Sequence, residues 1–356
     1  MKLRFRCMTV LFLLGAMKSG WAIDPPKWTT PKAETAEQLA SDIDEYITGL
    51  EKQGLNGVIL ITYEGKDLLH SAYGFADREN GKRMTVETGG CIGSIVKPIT
   101  MAAIYKLESE GKLSRTDRLP KFFDNVPPDK ADITLQQVID HQAGFPDIFG
   151  DDYEPATKEW VVEQLMKTPL TAKPGEKRSY SNAGYSLLGA VIETAGGTPY
   201  EKYVHSQLFV PAGTPRIGYL IPSWKNEELA VGYQEGKRWG TSLDHPWMQD
   251  GPSWNLRCNG GMLSTVRDLH RFFDALLGGR VLSSEGTQRY LEQSVRKHSS
   301  GKQIVASVGG NGITNSIYLN LVDDKLVFVM FTSVDVFESE AVFQQVDLTK
   351  RHARSN

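Results

Sequence analysis

The chain has 356 residues and a formal net charge of −3, with 40% hydrophobic and 23% charged residues. This length allows a sizeable core with an inserted subdomain, and both fractions are ordinary for a soluble globular protein. The small net charge, without a long run of one sign, argues against a nucleic-acid partner.

The first 22 residues differ in character from the rest of the chain. A basic start precedes an apolar run from Cys7 to Met17, and Gly20-Trp21-Ala22 follows it. This order is typical of a secretory signal peptide, and the run is shorter than the roughly 20 apolar residues of a membrane-spanning helix. We therefore expect export to the periplasm or beyond, with a mature chain from near Ile23 that has no membrane span. The alternative is an apolar N-terminal arm of a cytosolic protein.

The pattern after residue 35 predicts a helix, a hairpin and a second helix. Leu39, Ile43, Ile47 and Leu50 share one face of a helix over 36–50. Two β-rich segments, 57–63 and 68–73, flank a Gly-containing turn and indicate a hairpin. A further helix is expected over 98–111.

The remaining pattern places strands at both ends of the chain and helical material between them. Residues 116–261 indicate a mostly helical insertion, and 264–277 a helix. Strands are expected at 304–308, 313–322 and 326–332. We therefore expect a mixed α/β (α+β) fold in one domain, 23–356. Its antiparallel sheet comes from about 36–115 and 262–350, is flanked by helices, and carries the inserted subdomain.

Removal of the leader would leave two cysteines, Cys91 and Cys258. In an exported protein, two cysteines permit one disulfide. Two buried free thiols that pack as small apolar groups are the alternative. The sequence leaves both interpretations open.

The pattern Ser-x-x-Lys occurs four times, at Ser94, Ser109, Ser294 and Ser299. Only Ser94 lies at a loop-to-helix junction, where Lys97 would lie on the same helix face three residues later. A serine hydroxyl needs a nearby base, and a lysine held neutral by burial can accept its proton. Ser94 is therefore the candidate nucleophile and Lys97 its base, with a helix N-cap as the alternative role for Ser94.

A second polar motif is Tyr180-Ser181-Asn182, directly before an apolar run. A phenol near a lysine can share the role of base, and an amide can orient a substrate. Alternatively, Tyr180 has no catalytic role and is an aromatic side chain that packs in the core. The similar Tyr318-Leu319-Asn320 alternates within a predicted strand, which indicates ordinary sheet packing.

Several other catalytic patterns are missing from the sequence. A Gly-x-Ser-x-Gly elbow, a His-Glu-x-x-His motif, paired cysteines and a Gly-rich phosphate loop do not occur. We therefore expect neither a metal nor a cofactor. His141, in His141-Gln142-Ala143-Gly144, is interpreted as structural.

The segments AYGFADRENGKRMT, IGSIVKPIT, DITLQQVIDHQAGFPD, RSYSNAGYSLLGAVIE and GGMLSTVRDLHRFF carry a family resemblance. In this order they resemble the β-lactamase-related serine hydrolases, which include class C β-lactamases, D,D-carboxypeptidases, D-aminopeptidases and esterases. The resemblance covers most of the mature chain and places the active site between the sheet and the helical insertion. It implies that Ser94 is acylated, that Lys97 and Tyr180 share the role of base, and that Asn182 faces the substrate.

The third motif of that family departs from its usual form here. The family has Lys-Thr-Gly or His-x-Gly, and the corresponding stretch is Ser307-Val308-Gly309-Gly310. The resemblance implies that Ser307 and Gly309 bind substrate and that the backbone N–H groups of Ser94 and Gly310 form an oxyanion hole. The family's cation is absent, which disfavours a substrate carboxylate unless Arg257 or Arg178 supplies the charge.

The sequence therefore predicts an exported serine hydrolase that cleaves a small-molecule ester, amide or peptide through a Ser94 acyl-enzyme. It does not separate an esterase from a D-peptidase or a β-lactamase, and it leaves the oligomeric state open. The alternative function is a binding protein of the same fold with little or no turnover.

Overall fold

The structure is a computed structural model that describes residues 35–333, except 235, 246, 249, 299, 300, 311 and 312. The predicted signal peptide lies outside the described residues. The helices are α1 Ala36–Glu51, α2 Val96–Ser109, α3 Leu135–Ile139, α4 Lys158–Lys167, α5 Asn182–Gly196, α6 Tyr200–Val204, α7 Val210–Ala212, α8 Val266–Leu277 and α9 Ser284–Ser294. The strands are β1 Gly57–Tyr63, β2 Lys66–Tyr73, β3 Phe75–Asp77, β4 Lys82–Arg83, β5 Gly90–Cys91, β6 Ile217–Gly218, β7 Gly232–Gln234, β8 Lys237–Gly240, β9 Leu263–Ser264, β10 Arg296–Lys297, β11 Gln303–Gly310, β12 Asn315–Leu321 and β13 Leu326–Thr332.

The main sheet has six strands in the order β10-β11-β12-β13-β1-β2, and every neighbouring pair is antiparallel. The two ends of the described chain meet where β13 pairs with β1, with Leu60 opposite Val329. The expected antiparallel sheet built from both ends is thereby confirmed, as are both expected hairpins.

Both faces of the sheet are buried at its central strands, which explains why β1 and β13 are apolar except for one threonine in each. Because side chains alternate between the two faces of a strand, Ile59 and Ile61 pack with Ile43 and Ile47 of α1. The neighbouring Val58 and Leu60 instead face the larger core, to which α2 and α8 contribute. The helix expected over 36–50 is thus observed, and its apolar face covers the sheet.

Helices α3 to α7 lie in the chain between the two parts of the sheet, with short strands among them. The expected mixed α/β fold with a mostly helical insertion is therefore observed. Helix α2 joins this region to the sheet, since it packs against α5, α6 and α9. Its ten buried residues surround the whole helix, as expected for a helix enclosed by other elements.

Helix α9 was not predicted from the sequence. Its buried residues are Gly286, Thr287 and Tyr290, so only one large apolar side chain marks the inward face. That pattern is too weak for recognition by periodicity. A local signal was present, since Ser283 caps the helix by accepting a hydrogen bond from the Gly286 N–H.

The two cysteines are free and buried. Cys258 packs against Gly189 of α5, where a Cβ atom would lie 2.1 Å from the Cys258 sulfur. The thiols therefore occupy space in the core, which is the second of the two interpretations given above. In the described part of the chain, no helix combines the length and the hydropathy that crossing a membrane requires.

Candidate active site

Ser94 lies in a single 3-10 turn, Gly93–Ile95, between strand β5 and helix α2. Gly93 has φ +50°, in the left-handed region where glycine is favoured. A Cβ atom on Gly93 would lie 2.4 Å from the backbone nitrogen of Gly310. The glycine therefore permits both the tight turn and the close approach of strand β11.

The Ser94 hydroxyl contacts both of the side chains that the sequence placed with it. The Lys97 ammonium nitrogen donates to Ser94 Oγ at 3.0 Å, and the Tyr180 hydroxyl lies 2.9 Å from the same oxygen. The alternative role as a helix cap is not observed, because α2 has no side-chain cap. Ser109 is exposed, and its hydroxyl donates to the Lys106 carbonyl, away from this cluster.

Lys97 is 5% exposed, and it also donates to the backbone carbonyl of Asn259 at 2.8 Å. Burial lowers the pKa of Lys97 to about 7, although the negative charges of Asp147 and Asp152 act in the opposite direction. A substantial fraction of Lys97 is therefore neutral near pH 7 and able to accept a proton.

Tyr180 lies in the loop before α5 and presents its hydroxyl to Ser94. Burial raises the pKa of Tyr180 to about 12, so the phenol keeps its proton near pH 7. Its ring lies 4.8 Å from the Lys97 nitrogen. The charge states thus differ within the pair: Lys97 is suited to accept a proton and Tyr180 to donate or relay one.

His141 packs against Tyr180 and holds the backbone of the residue that follows it. Its ring packs against the Tyr180 ring with centroids 4.6 Å apart, and its Nδ1 accepts the Ser181 N–H at 3.1 Å. Burial lowers the pKa of His141 to about 3, which keeps the ring neutral and its Nδ1 an acceptor. These contacts agree with the interpretation of His141 as a structural residue.

Asn182 is the first residue of α5, and Asp147 holds its side chain. Both the backbone N–H and the side-chain Nδ2 of Asn182 donate to Asp147 Oδ1, at 3.0 and 2.9 Å. A carboxylate only accepts hydrogen bonds, so the contact assigns the amide orientation of Asn182. Its carbonyl oxygen Oδ1 is left as an acceptor.

A cavity of about 60 Å³ opens in front of Ser94. It lies where the 3-10 turn, the start of α5, the end of β11 and the loop before β9 meet. The residues lining it are Cys91, Gly93, Ser94, Asp152, Asn182, Leu256, Asn259, Gly260, Gly261 and Gly310. The structure therefore brings Asn182 and Gly310 to the candidate nucleophile. Among the described residues, no group of three or more His, Cys, Asp or Glu side chains is arranged to hold a metal ion.

Strand β11 runs directly beside the Ser94 turn. A Cβ atom on the buried Gly309 would lie 2.1 Å from the Ile92 carbonyl oxygen and 2.7 Å from the Ser94 nitrogen. Glycine at this position is thus explained by packing against the protein's own backbone. Ser307, two residues earlier on the same face of β11, is half-buried and lies outside the set that lines the cavity.

Of the two arginines that the sequence offered in place of the missing cation, Arg257 is paired elsewhere. It is 4% exposed, and its guanidinium donates to both carboxylate oxygens of Asp250 at 2.9 Å. Arg178 is exposed, and its positive charge acts on His141 and on Tyr180, where it lowers the pKa of each.

Two residues of the site were missed by the sequence analysis. Asn259 supplies the carbonyl that accepts from Lys97, and its side-chain Nδ2 donates to Ser186 Oγ at 3.0 Å. Asp152 lines the same cavity as Asn182. Neither residue belongs to a local motif, because each reaches the site through contacts between distant parts of the chain.

Comparison with known proteins places this geometry in a family. A family model described as Beta-lactamase matches residues 39–343. The putative penicillin-binding protein PbpX of Bacillus subtilis is 26% identical over 264 residues, which cover 74% of this chain and 65% of PbpX. For PbpX and two further curated relatives, the chain spans between 38% and 65% of the length of the relative.

Solved structures share the fold at low identity. A β-lactamase/D-alanine carboxypeptidase from Pseudomonas syringae has a TM-score of 0.72 and 18% identity, over 90% of this chain and 99% of that one. A D-amino acid amidase from Ochrobactrum anthropi has a TM-score of 0.70 and 19% identity, over 85% and 97% of the two chains. The family model covers most of the chain, and the chain therefore belongs to the β-lactamase family of serine hydrolases.

Proposed function

We propose that this protein is a hydrolase that cleaves an ester or amide bond through an acyl-enzyme on Ser94. The observation that carries the proposal is the position of Ser94 Oγ, 3.0 Å from the Lys97 nitrogen and 2.9 Å from the Tyr180 hydroxyl. A nucleophile within hydrogen-bond reach of a partly neutral base is the arrangement that acyl transfer requires.

In the acylation step, neutral Lys97 accepts the Ser94 proton while Ser94 Oγ bonds to the substrate carbonyl carbon. The carbonyl oxygen becomes negative, and the N–H groups of Ser94 and Gly310 stabilise that charge. When the intermediate collapses, the bond to the leaving group breaks. Tyr180 donates its proton to that group and regains one from the Lys97 ammonium.

Deacylation repeats the sequence with water as the nucleophile. Lys97 accepts a proton from water, whose oxygen bonds to the acyl carbon. The bond to Ser94 Oγ then breaks, Ser94 takes the proton from Lys97, and the carboxylic acid product leaves. No cofactor enters either step.

The third motif favours substrates without a carboxylate at the position of Ser307. A carboxylate bound there has only the Ser307 hydroxyl as a donor and no positive charge to pair with, so most of the cost of its desolvation is not offset. Uncharged esters and amides avoid that cost, so we propose that they are preferred over penicillins and cephalosporins.

A fluorophosphonate probe, with intact-mass detection, tests the proposed nucleophile. We expect stoichiometric labelling of the wild type, none of Ser94→Ala, and labelling of Lys97→Ala slower by orders of magnitude, because nucleophile and base act as a unit. Ser109→Ala is the matched control, since Ser109 belongs to the same pattern but lies outside the site. It should label like the wild type.

Stoichiometric labelling of Ser94→Ala would contradict the assignment. A wild type that neither labels nor hydrolyses any small ester or amide would favour the second function, a binding protein that kept the fold. The missing cation at Ser307 is the observation that supports this second function.

A further inference from the structure

We propose that the substrate carries a positively charged amino group close to the scissile carbonyl, and that Asp152 and Asn182 bind it. This inference rests on the proposed function and deepens it by naming the substrate class: amides or esters of amino acids with a free amine. It depends on three features of the cavity, which are an unpaired carboxylate, an unpaired carbonyl and the local balance of charge.

The carboxylate of Asp152 lines the same cavity as Ser94. Among the described residues, no hydrogen bond or ion pair within 4 Å satisfies it, although the side chain is half-buried. The pKa of Asp152 is raised, chiefly by burial and also by the negative charges of Asp151 and Asp147, although the charge of Lys97 acts in the opposite direction. A half-buried carboxylate without a partner is destabilising, and a cationic ligand would offset that cost.

Asn182 adds a second acceptor to the same cavity. Its amide nitrogen is bound by Asp147 Oδ1 at 2.9 Å, which leaves the carbonyl oxygen for a ligand. A carboxylate and an amide carbonyl accept hydrogen bonds and donate none. A group that satisfies both is rich in N–H donors, as an ammonium is.

The charges around the cavity favour the same ligand. Asp147 and Asp152 both act on Lys97 as negative charges, and burial holds the pKa of Lys97 near 7. Lys97 therefore offsets them incompletely at neutral pH. Ser307 replaces the family's cation, whereas the positive charge of the exposed Arg178 acts on His141 and Tyr180 and opposes a cationic ligand. Next to Ser94, the charges of Asp147 and Asp152 against a partly neutral Lys97 favour a cation over an anion.

The shared cavity indicates where the amino group lies in the substrate. Ser94 and Asp152 line the same cavity, so a group bound by Asp152 occupies the same space as the carbonyl that Ser94 attacks. An α-amino group, on the carbon next to that carbonyl, is the simplest group that meets this condition.

The test compares two substrates that differ chiefly in this charge: alanine 4-nitroanilide, in both enantiomers, and isobutyryl 4-nitroanilide, in which a methyl group replaces the amine. At pH 7, we expect the wild-type kcat/KM to be at least tenfold higher for one alanine enantiomer than for the isobutyryl compound. In Asp152→Asn this ratio should fall about tenfold, the scale of one charge-assisted hydrogen bond. Asp124→Asn removes an exposed carboxylate that is not among the residues lining the cavity, so it is the control and should keep the wild-type ratio.

Two results would overturn this inference while leaving the proposed function intact, provided that Ser94 labels with the fluorophosphonate. The first is a wild type that prefers the isobutyryl compound. The second is an Asp152→Asn variant that changes the rates for both substrates by the same factor, since Asp152 would then act only through Lys97. The wild-type ratio needs no variant, so the test holds even if Asp152→Asn fails to fold. Failure of Ser94 to label would overturn the proposed function and this inference with it.

Discussion

Lys97 has a different charge state in this protein from the one it would have in water. Its nitrogen is enclosed by Ser94, the Asn259 carbonyl and two tyrosine rings, and burial lowers its pKa to about 7. Asp147 and Asp152 limit the shift by favouring the charged form. Burial thus leaves part of Lys97 neutral and able to accept a proton near pH 7, and the two nearby carboxylates move this transition to higher pH.

The first prediction at the residue scale concerns pH. Only neutral Lys97 accepts the Ser94 proton, so kcat/KM should rise as pH increases through about 7 and level off above that value. Removing a carboxylate that favours the ammonium lowers the pKa further, so Asp152→Asn should move this rise to lower pH. The measurement is kcat/KM for 4-nitrophenyl acetate between pH 5 and 9. A rate that falls over this range would contradict the role of Lys97 as base.

At the scale of elements, the site depends on how closely β11 approaches the turn that carries Ser94. Gly309 and Gly93 face each other across this contact, and neither has room for a Cβ atom. The two N–H groups that we propose for an oxyanion hole belong to Ser94 and Gly310, one on each side of this contact. The distance between strand and turn would therefore set the geometry of the proposed hole.

The element-scale prediction is that Gly309→Ala separates the strand from the turn. Its methyl group would lie 2.1 Å from the Ile92 carbonyl oxygen, which is backbone and has to move. Loss of one oxyanion donor lowers kcat by about 100-fold to 1,000-fold, and we expect a decrease of that order, with a lower Tm. Gly49→Ala is the control, because no atom lies within 4 Å of its Cβ position in α1. Full kcat in Gly309→Ala would show that the contact does not control the site.

At the scale of the whole molecule, the described fold begins at α1, and its last strand, β13, pairs with its first strand, β1. Helix α1 covers the sheet from Ala36 onward, so removal of the predicted leader would leave all the described elements in place. The candidate site likewise draws Ser94, Tyr180, Asn259 and Gly310 from distant parts of the chain.

The whole-molecule prediction is that the protein loses its first ~22 residues during export, as the tripartite leader indicates. N-terminal sequencing of protein from the cell envelope or the medium should begin near Ile23. A variant with Ala22 replaced by a large residue, Ala22→Trp, should be processed poorly, because the cleavage site requires small side chains. Recovery of the chain with Met1 in a cytosolic fraction would refute the prediction.

The sequence alone was sufficient for the features that depend on local spacing. The apolar period of α1, the hairpins around Gly65 and Asp324, and the placement of Lys97 three residues after Ser94 all follow from helix and strand geometry. Tyr180 and Asn182 were identified as a polar motif to which the family resemblance gave specific roles, and the structure brings both to Ser94, although those roles stay predictions. Helix α9 was not predicted, because Tyr290 is the only large apolar side chain on its buried face.

Tertiary structure decided the features that depend on contacts between distant segments. Asn259 accepts from Lys97 across 162 positions, and no local pattern encodes such a contact. Asp152 is one of two adjacent aspartates, and only the packed loop shows which of them lines the cavity. The pKa of Lys97 belongs to this class as well, because burial is a property of everything packed around the side chain. Local geometry therefore identified the nucleophile and its base, whereas packing set the charge state of that base and the lining of the cavity.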